Sequence, residues 1–339
     1  MPASRDLPPD LPRDLRAALD KLATGVSRKD LAGRAAAQSQ NYRSGGGSHD
    51  IRSRDDTLAY AFARMPATYA AAIAVLNALR GVCDFAPRSL LDVGAGPGTA
   101  AVAAAQAFPS LADVRLVEAN AEMRALGTAL LAQSDQPALR AASYNAPPAR
   151  HADLRAADLV TASYVAGEIA PAERATFARS LWAASAQALV VIEPGTPAGY
   201  ERLMAIRSLL IAEGAHLAAP CPHDRACPLV APDWCHFAQR LPRSRDHLQV
   251  KGVAVPFEDE KFSYVALTRK PPRHIDARVL APPVVTKGAV TAKLCTADGI
   301  VHDVAARRDG ATYRRNKSWR WGEAVEREDE RSGDDQSKN

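Results

Sequence analysis

A glycine-rich turn carries the sharpest chemical signal in the chain: Leu91-Asp92-Val93-Gly94-Ala95-Gly96-Pro97-Gly98-Thr99 closes an apolar run and opens an alanine-rich one. Glycines allow the backbone to turn tightly and lie against a ligand, and the start of a following helix offers free N–H donors. A dinucleotide-binding turn would read G-x-G-x-x-G and put its third glycine where Thr99 stands; the spacing here is G-x-G-x-G, led by an acid. Two more segments point to the same rim. Glu118 closes DVRLVEA, and DLVTASYVAGE (158 to 168) supplies Ser163 as a contact and Glu168 as either a base or a helix cap. Glu193-Pro194-Gly195 ends a further run on that rim, as a contact or as a strand-terminating turn. A second constellation is made of sulfur. Cys221, Cys227 and Cys235 lie in PCPHDRACPLVAPDWCHFAQR, whose prolines forbid a regular helix, and KLCTAD adds Cys295. Four thiolates on a compact loop suit a soft metal centre. The tight C-x2-4-C pair of structural zinc sites is missing, His223 and His236 could each replace a thiolate, and buried free thiols remain the alternative. Cys83 reads as a core thiol.

The elements that must hold these residues alternate. Between Arg88 and Lys270, short β-branched and Leu/Val runs at 89–94, 113–119, 158–164, 188–194 and 262–269 are separated by alanine-rich helical stretches. That alternation predicts a parallel sheet covered by helices. Ahead of it, Leu11, Leu15, Leu19, Leu22 and Leu31 recur at helical spacing through 11–37, and the glycine-rich break Ser39 to Ser53 reads as a flexible connection or as a backbone that must lie close to something else. From Thr57 a second helix follows, with Pro66 as a boundary or kink and Gly81 as its C-cap. The expected organisation is a helical region over 1–85, a sheet domain over 86–270 with an inserted cysteine loop at 220–240, a small basic β extension over 271–325, and a disordered tail over 326–339.

The chain has 339 residues, with 43 Lys+Arg against 38 Asp+Glu for a net charge of +5, and is 47% hydrophobic. This composition is globular, with no apolar run of the roughly 20 residues that suggest a membrane span, and no membrane is expected as a partner. An opening of MPASRDLPPDLPRDLR lacks the apolar core of a secretory signal, and five cysteines are too few for a disulfide scaffold, so the expected location is cytoplasmic. Basic residues gather late: Arg240, Arg243, Arg245 and Lys251, then Arg307, Arg308, Arg314, Arg315, Lys317 and Arg320, with Tyr313, Trp319 and Trp321 interleaved. Cations neutralise phosphates and aromatic faces stack on unpaired bases, although a solvated basic surface beside core tryptophans accounts for the same pattern.

The turn Asp92 to Gly98 resembles motif I of the class I S-adenosylmethionine-dependent methyltransferases. That resemblance implies a Rossmann-like α/β fold, with Asp92, Gly94, Ala95, Gly96, Gly98, Glu118 and Ser163 around S-adenosyl-L-methionine. Taken together, RMPATY (64–69), LLDVGAGPGT (90–99), ASYVAGE (162–168), IEPGTPAGY (192–200), CPHDRACPL (221–229) and WCHFAQR (234–240) resemble the methyltransferase-like mitochondrial small-ribosomal-subunit assembly factors. The bacterial members of that family are usually described as candidate ribosomal RNA methyltransferases. The likeness covers roughly 30–320. It implies that Cys221, Cys227, Cys235 and Cys295 hold a four-iron four-sulfur cluster, with zinc as the alternative, and that the partner is the small ribosomal subunit or its RNA. The resemblance leaves two functions in view: a methyltransferase, or a non-catalytic assembly factor that retains pocket and cluster as structural elements. No N/D-P-P-Y motif and no catalytic cysteine pair supports the first.

Overall fold

The computed structural model describes residues 8–44, 46–150 and 153–326; nearly all of the expected disordered tail lies outside them. Three helices lead, α1 (Arg13–Leu22), α2 (Arg28–Arg43) and α3 (Arg54–Val82). The helical pattern expected to run through 11–37 is broken at Gly25, whose φ of +81° suits only glycine without strain, and α2 restarts behind a Ser27 N-cap. α2 then continues to Arg43, so the break anticipated from Ser39 begins at Ser44. α3 begins one turn earlier than expected, because the Ser53 hydroxyl accepts the amide of Asp56 and caps it. Neither Pro66 nor Gly81 ends α3. A proline inside a helix removes one hydrogen bond, and here burial along both sides outweighs that loss: Leu58, Met65, Ile73, Leu76 and Leu79 are all inside the core. α3 is the one helix among the described residues long and apolar enough to cross a bilayer, and its apolarity is accounted for by this packing.

An alternating segment follows: β1 (Ser89–Val93), α4 (Thr99–Ala107), β2 (Asp113–Val117), α5 (Ala121–Leu131), α6 (Pro137–Arg140), β3 (Ser143–Asn145), β4 (Ala157–Ser163), α7 (Arg174–Ala184), β5 (Ser185–Pro194), α8 (Pro197–Ala212), β6 (His216–Ala219), β7 (Phe237–Pro242), α9 (Arg245–Lys251) and β8 (Phe257–Thr268). They form one sheet of order β3-β2-β1-β4-β5-β8-β6, with β7 also paired to β8. β1 to β5 pair with one another in parallel, and β8 runs antiparallel to β5, β6 and β7. This is the class I methyltransferase arrangement. The five expected strands are β1, β2, β4, β5 and β8; β3, β6 and β7 are short or proline-bounded and carried no comparable run. α3 and α4 pack on one face of the sheet, α7 and α8 on the other. The helical region therefore shares its core with the sheet and is no separate body.

A second, five-stranded sheet is built from β9 (Ala277–Val279), β10 (Val284–Val285), β11 (Ala289–Thr296), β12 (Gly299–Ala306) and β13 (Ala324–Val325), with α10 (Gly310–Ser318) between the last two. The alternation in TKGAVTAKLCTADGIVHDVAARR is the β11–β12 hairpin.

Candidate functional site

In the main sheet the strand order reverses between β1 and β4, and the loops leaving those two carboxyl ends form the crevice where such folds bind ligands. Gly94 is pressed against the β4 loop so closely that a Cβ there would lie 2.6 Å from a Val165 methyl. Gly94, Gly96 and Gly98 all have positive φ, whereas a Cβ on Gly96 would meet no protein atom within 4 Å. The turn is thus closed at Gly94 and open at Gly96.

Asp92 points inward from β1. It is 1% exposed, one carboxylate oxygen accepts the Thr161 hydroxyl at 2.7 Å, and the other has no protein partner. Burial raises its pKa to about 7 against the pull of Thr161. Glu118 folds back on the turn: its carboxylate accepts the amides of Gly96 at 2.8 Å and Asn120 at 2.7 Å. Burial raises its pKa too, opposed by those amides. The Ser163 hydroxyl, at the end of β4, is buried without a partner. Ala95 and Gly98 complete the turn, with the Tyr144 hydroxyl donating to the Gly96 carbonyl at 3.1 Å. All seven candidate ligand contacts therefore stand on three adjacent strand ends, β2, β1 and β4.

A cavity of about 820 Å³ adjoins the next residues along these strand ends, lined by Asn120, Tyr164, Glu168, Glu193, Arg202 and the segment Gly46–Ile51, among others; none of the seven candidate contacts is in its lining. That segment crosses the mouth. The Ser48 amide and hydroxyl both donate to Glu168, at 3.1 and 2.8 Å, and the Asn120 side chain donates to the carbonyls of Ser48 and Ile51. Both oxygens of Glu168 are thus engaged by the strap, one of them on the amide of the first residue of the single 3-10 turn Ser48–Asp50, so the acid caps that turn and anchors the strap. Glu193 is likewise committed, accepting the Ala166 amide at 3.1 Å and pairing with Arg202 at 2.7 Å, and burial raises its pKa against that pair. Tyr164 follows β4 with φ at +60°, a conformation that a bulky residue holds only when its surroundings impose it. Its amide donates to Ile192 and its hydroxyl to Glu260, which also pairs with Arg64 of α3.

The four cysteines converge from two directions. Cys221, Cys227 and Cys235 lie on the irregular stretch between β6 and β7, and Cys295 comes from β11 of the second sheet. Tyr200, in the first turn of α8, donates to the Cys227 sulfur at 3.2 Å, and the Cys295 sulfur lies 3.9 Å from His223 Nε2. Each of Cys221, Cys235 and Cys295 is raised above the ordinary thiol range, first by burial and then by its fellow thiols, Cys295 to about 12. Arg207 and Arg278 oppose the shift at Cys221 and Cys295. Among the described residues, no three His, Cys, Asp or Glu side chains are drawn together closely enough for a single metal ion. Cys83 lies outside the set, beside Arg273, with burial raising its thiol to about 11.

A family profile described as "Mitochondrial small ribosomal subunit Rsm22" matches residues 54–326, from the first residue of α3 to the last described residue. The chain belongs to this family. Human "Ribosome assembly protein METTL17, mitochondrial" is 28% identical over 297 residues, 79% of this chain and 62% of the human protein. "Rsm22-cox11 tandem protein 2, mitochondrial" of Schizosaccharomyces pombe is 27% identical over 322 residues, 78% of this chain and 42% of that protein. The chain thus spans about half the length of these curated relatives. Among solved structures, an O-methyltransferase family protein from Burkholderia thailandensis matches 66% of this chain and 61% of its own at 11% identity, with a TM-score of 0.41. The relatives overturn the cytoplasmic expectation: all of those matched carry "mitochondrial" in their names, and the composition of the first sixteen residues does not outweigh that.

In this Rsm22-family chain the strap Gly46–Ile51 lies just before the matched residues; its glycines marked a connection or a close backbone approach, and the approach is what Gly47 makes to Glu168, though the sequence did not say to what. Asn120, Tyr144, Tyr200, Arg202, Arg207 and Arg278 were also not singled out. Tyr200 is the last residue of IEPGTPAGY and Arg202 stands two residues beyond it, and both could have been found by asking which groups reach the cysteine loop and neutralise Glu193. The two basic groups part company. Arg240 forms a two-bond pair with Asp259 at the surface, Arg243 and Lys251 both engage the mostly buried Glu258, and Arg245 is exposed. Arg307, Arg308, Arg314, Lys317 and Arg320 are exposed around α10. Trp319 is in the small core of the second sheet and Trp321 packs edge-on against His236, which leaves neither free as a stacking platform.

Proposed function

We propose that this chain is an assembly factor for the small ribosomal subunit, whose methyltransferase-type pocket and four-cysteine centre serve the shape and stability of the fold in place of a methyl-transfer reaction. The observation that carries this reading is the strap: Glu168, the acid best placed by sequence to act as a base, is occupied by the Ser48 amide and hydroxyl. Family membership and the assembly function in the human relative's name support it.

The residues of the glycine turn and its neighbouring strand ends fit S-adenosylmethionine. Gly96 borders open space, Asp92 and Ser163 each keep a buried oxygen without a protein partner, and the carboxylates of Asp92 and Glu118 favour a cationic ligand. When bound, the ligand supplies an electrophilic methyl group. The cysteine set fits a four-iron four-sulfur cluster. Cys221, Cys235 and Cys295 each feel the charge of their fellow thiols, Cys227 among them, so the four stand near enough to act as one thiolate donor set of the type that holds such a cluster. Held by Cys221, Cys227, Cys235 and Cys295, such a cluster would join the irregular loop to β11 and turn its binding free energy into folding free energy. The exposed cations of α10 and the segments beside it are the surface for ribosomal RNA phosphates.

The test is deletion in the native host followed by sedimentation of ribosomal particles and mapping of small-subunit RNA methylation. The expected result is accumulated small-subunit precursors with an unchanged methylation map, rescued by the wild-type chain and by Glu168→Gln. A nucleotide that loses its methyl group on deletion, and regains it when purified protein and S-adenosylmethionine are added to the isolated particles, would refute the non-catalytic reading.

A further inference from the structure

Two arginines are buried beside the cysteine centre, and neither has a carboxylate. Arg207 on α8 and Arg278 on β9 are each 2% exposed. Other arginines drawn into the fold have acids: Arg64 pairs with Glu260, Arg202 with Glu193 and Arg243 with Glu258. Among the described residues Arg207 and Arg278 form no ion pair: both bind carbonyls, and Arg207 also bonds the Cys221 thiol. Arg207 donates to the carbonyls of His223 and Arg225, at 3.0 and 2.6 Å, and Arg278 to those of Pro220 and Gly322, at 2.6 and 2.9 Å. Three of those four carbonyls belong to the segment that carries Cys221 and Cys227. Arg278 also sits directly opposite Cys295 in the β9–β11 register. One further nitrogen of each guanidinium, Nε of Arg207 and Nη2 of Arg278, is buried without an acceptor.

An uncompensated charge inside a protein costs several kcal/mol, and carbonyl dipoles relieve only part of that. Four neutral thiols would leave both cations unbalanced. Four thiolates on a dicationic metal core leave two negative charges, and two guanidiniums match them. We infer that Arg207 and Arg278 are the built-in counter-charges of the four-cysteine centre, so that the site selects a metal–tetrathiolate group of net charge near minus two. This rests on the reading of the cysteines as a metal centre. The arginines are positioning residues: they orient the loop through its carbonyls, and the charge of both opposes the rise of the Cys221 and Cys295 thiols, as outer-shell partners do at other metal sites.

The experiment uses the full chain, purified anaerobically and loaded with iron and sulfide, as wild type, Arg207→Gln, Arg278→Gln and the two Arg→Lys variants. The readouts are metal content, the rate of metal loss to a chelator, and the midpoint potential followed optically. Each Gln variant should lose metal at least tenfold faster and be harder to reduce by at least tenfold in the one-electron equilibrium, a fall of about 59 mV. The Lys variants should keep most of the wild-type potential, because they keep the charge while losing the fork of donors. If one Gln variant fails to fold, the other with its Lys partner decides. Gln variants with wild-type release and potential would overturn the assignment, as would Lys variants shifted as far as Gln, since carbonyl anchoring alone would then explain both arginines. A loaded wild type with zinc is tested by release rate alone. A wild type that takes up neither metal fails the reading of the centre itself, a result distinct from a loaded centre indifferent to the arginines.

Discussion

Replacing Asp92 by Asn should stabilise the protein at alkaline pH and flatten its pH dependence. The carboxyl is inside the core, with one oxygen on Thr161 and the other unpartnered, and burial raises its pKa from an ordinary 3.8 to about 7. A raised acid holds its proton in the fold over a range where the unfolded chain has released it. Its contribution is therefore fully present below about pH 4 and is lost as pH rises through about 7. At about 1.4 kcal/mol per pH unit between those values, the loss is on the order of 4 kcal/mol by pH 8. Asn keeps the shape and the acceptor for Thr161 but cannot ionise, so it should be more stable than wild type at pH 8 by ~1–4 kcal/mol. The lower figure allows for an amide group that finds no acceptor. The assay is urea unfolding of both proteins at pH 5, 6, 7 and 8. Other titrating groups are common to both, so the difference between the two curves isolates Asp92. Parallel curves from pH 5 to 8, or an Asn variant less stable at pH 8, would refute the reasoning. The same substitution should weaken S-adenosylmethionine binding in calorimetry if the acid faces the ligand as proposed.

Gly127→Ala would place a Cβ 2.0 Å from the Tyr144 hydroxyl, so overpacking of about 1–3 kcal/mol should lower the thermal midpoint, and Tyr144→Phe should restore part of it. Glu168→Gln weakens the two bonds from Ser48, and a loss of about 1 kcal/mol should speed amide exchange and proteolysis around Ser48 about fivefold, with the global unfolding midpoint unchanged. Cys295→Ala should abolish most bound iron and sulfide in elemental analysis, whereas Cys83→Ala, outside the converging set, should leave metal content at the wild-type level.

The sequence by itself determined the repeating pattern and the turn. Apolar runs of β1, β2, β4, β5 and β8 separated by alanine-rich helices leave few ways to bury both faces of a sheet, and a G-x-G-x-G turn at the end of β1 needs positive φ at each glycine, which is what the fold contains. The cysteines were legible only in part: three share one proline-bounded loop, but spacing left buried free thiols open, and Cys295 joined the set only through the family resemblance. Tertiary structure alone decided the rest. Pro66 lies within a continuous helix because packing on both sides outweighs one lost hydrogen bond, a quantity no local pattern contains. The strap Gly46–Ile51 and Glu168 are 120 residues apart at their hydrogen bond from Ser48, and Arg278 meets Cys295 only through strand register. Whether a cation is a counter-charge or a free surface group likewise depends on which acid the fold brings to it. Arg243 and Lys251 found Glu258, the cations around α10 stayed exposed, and Arg207 and Arg278 were carried inside to the sulfurs. Residue type sets the charge; only the folded path of the chain sets its neighbour, and in a low-dielectric interior the neighbour fixes the energy.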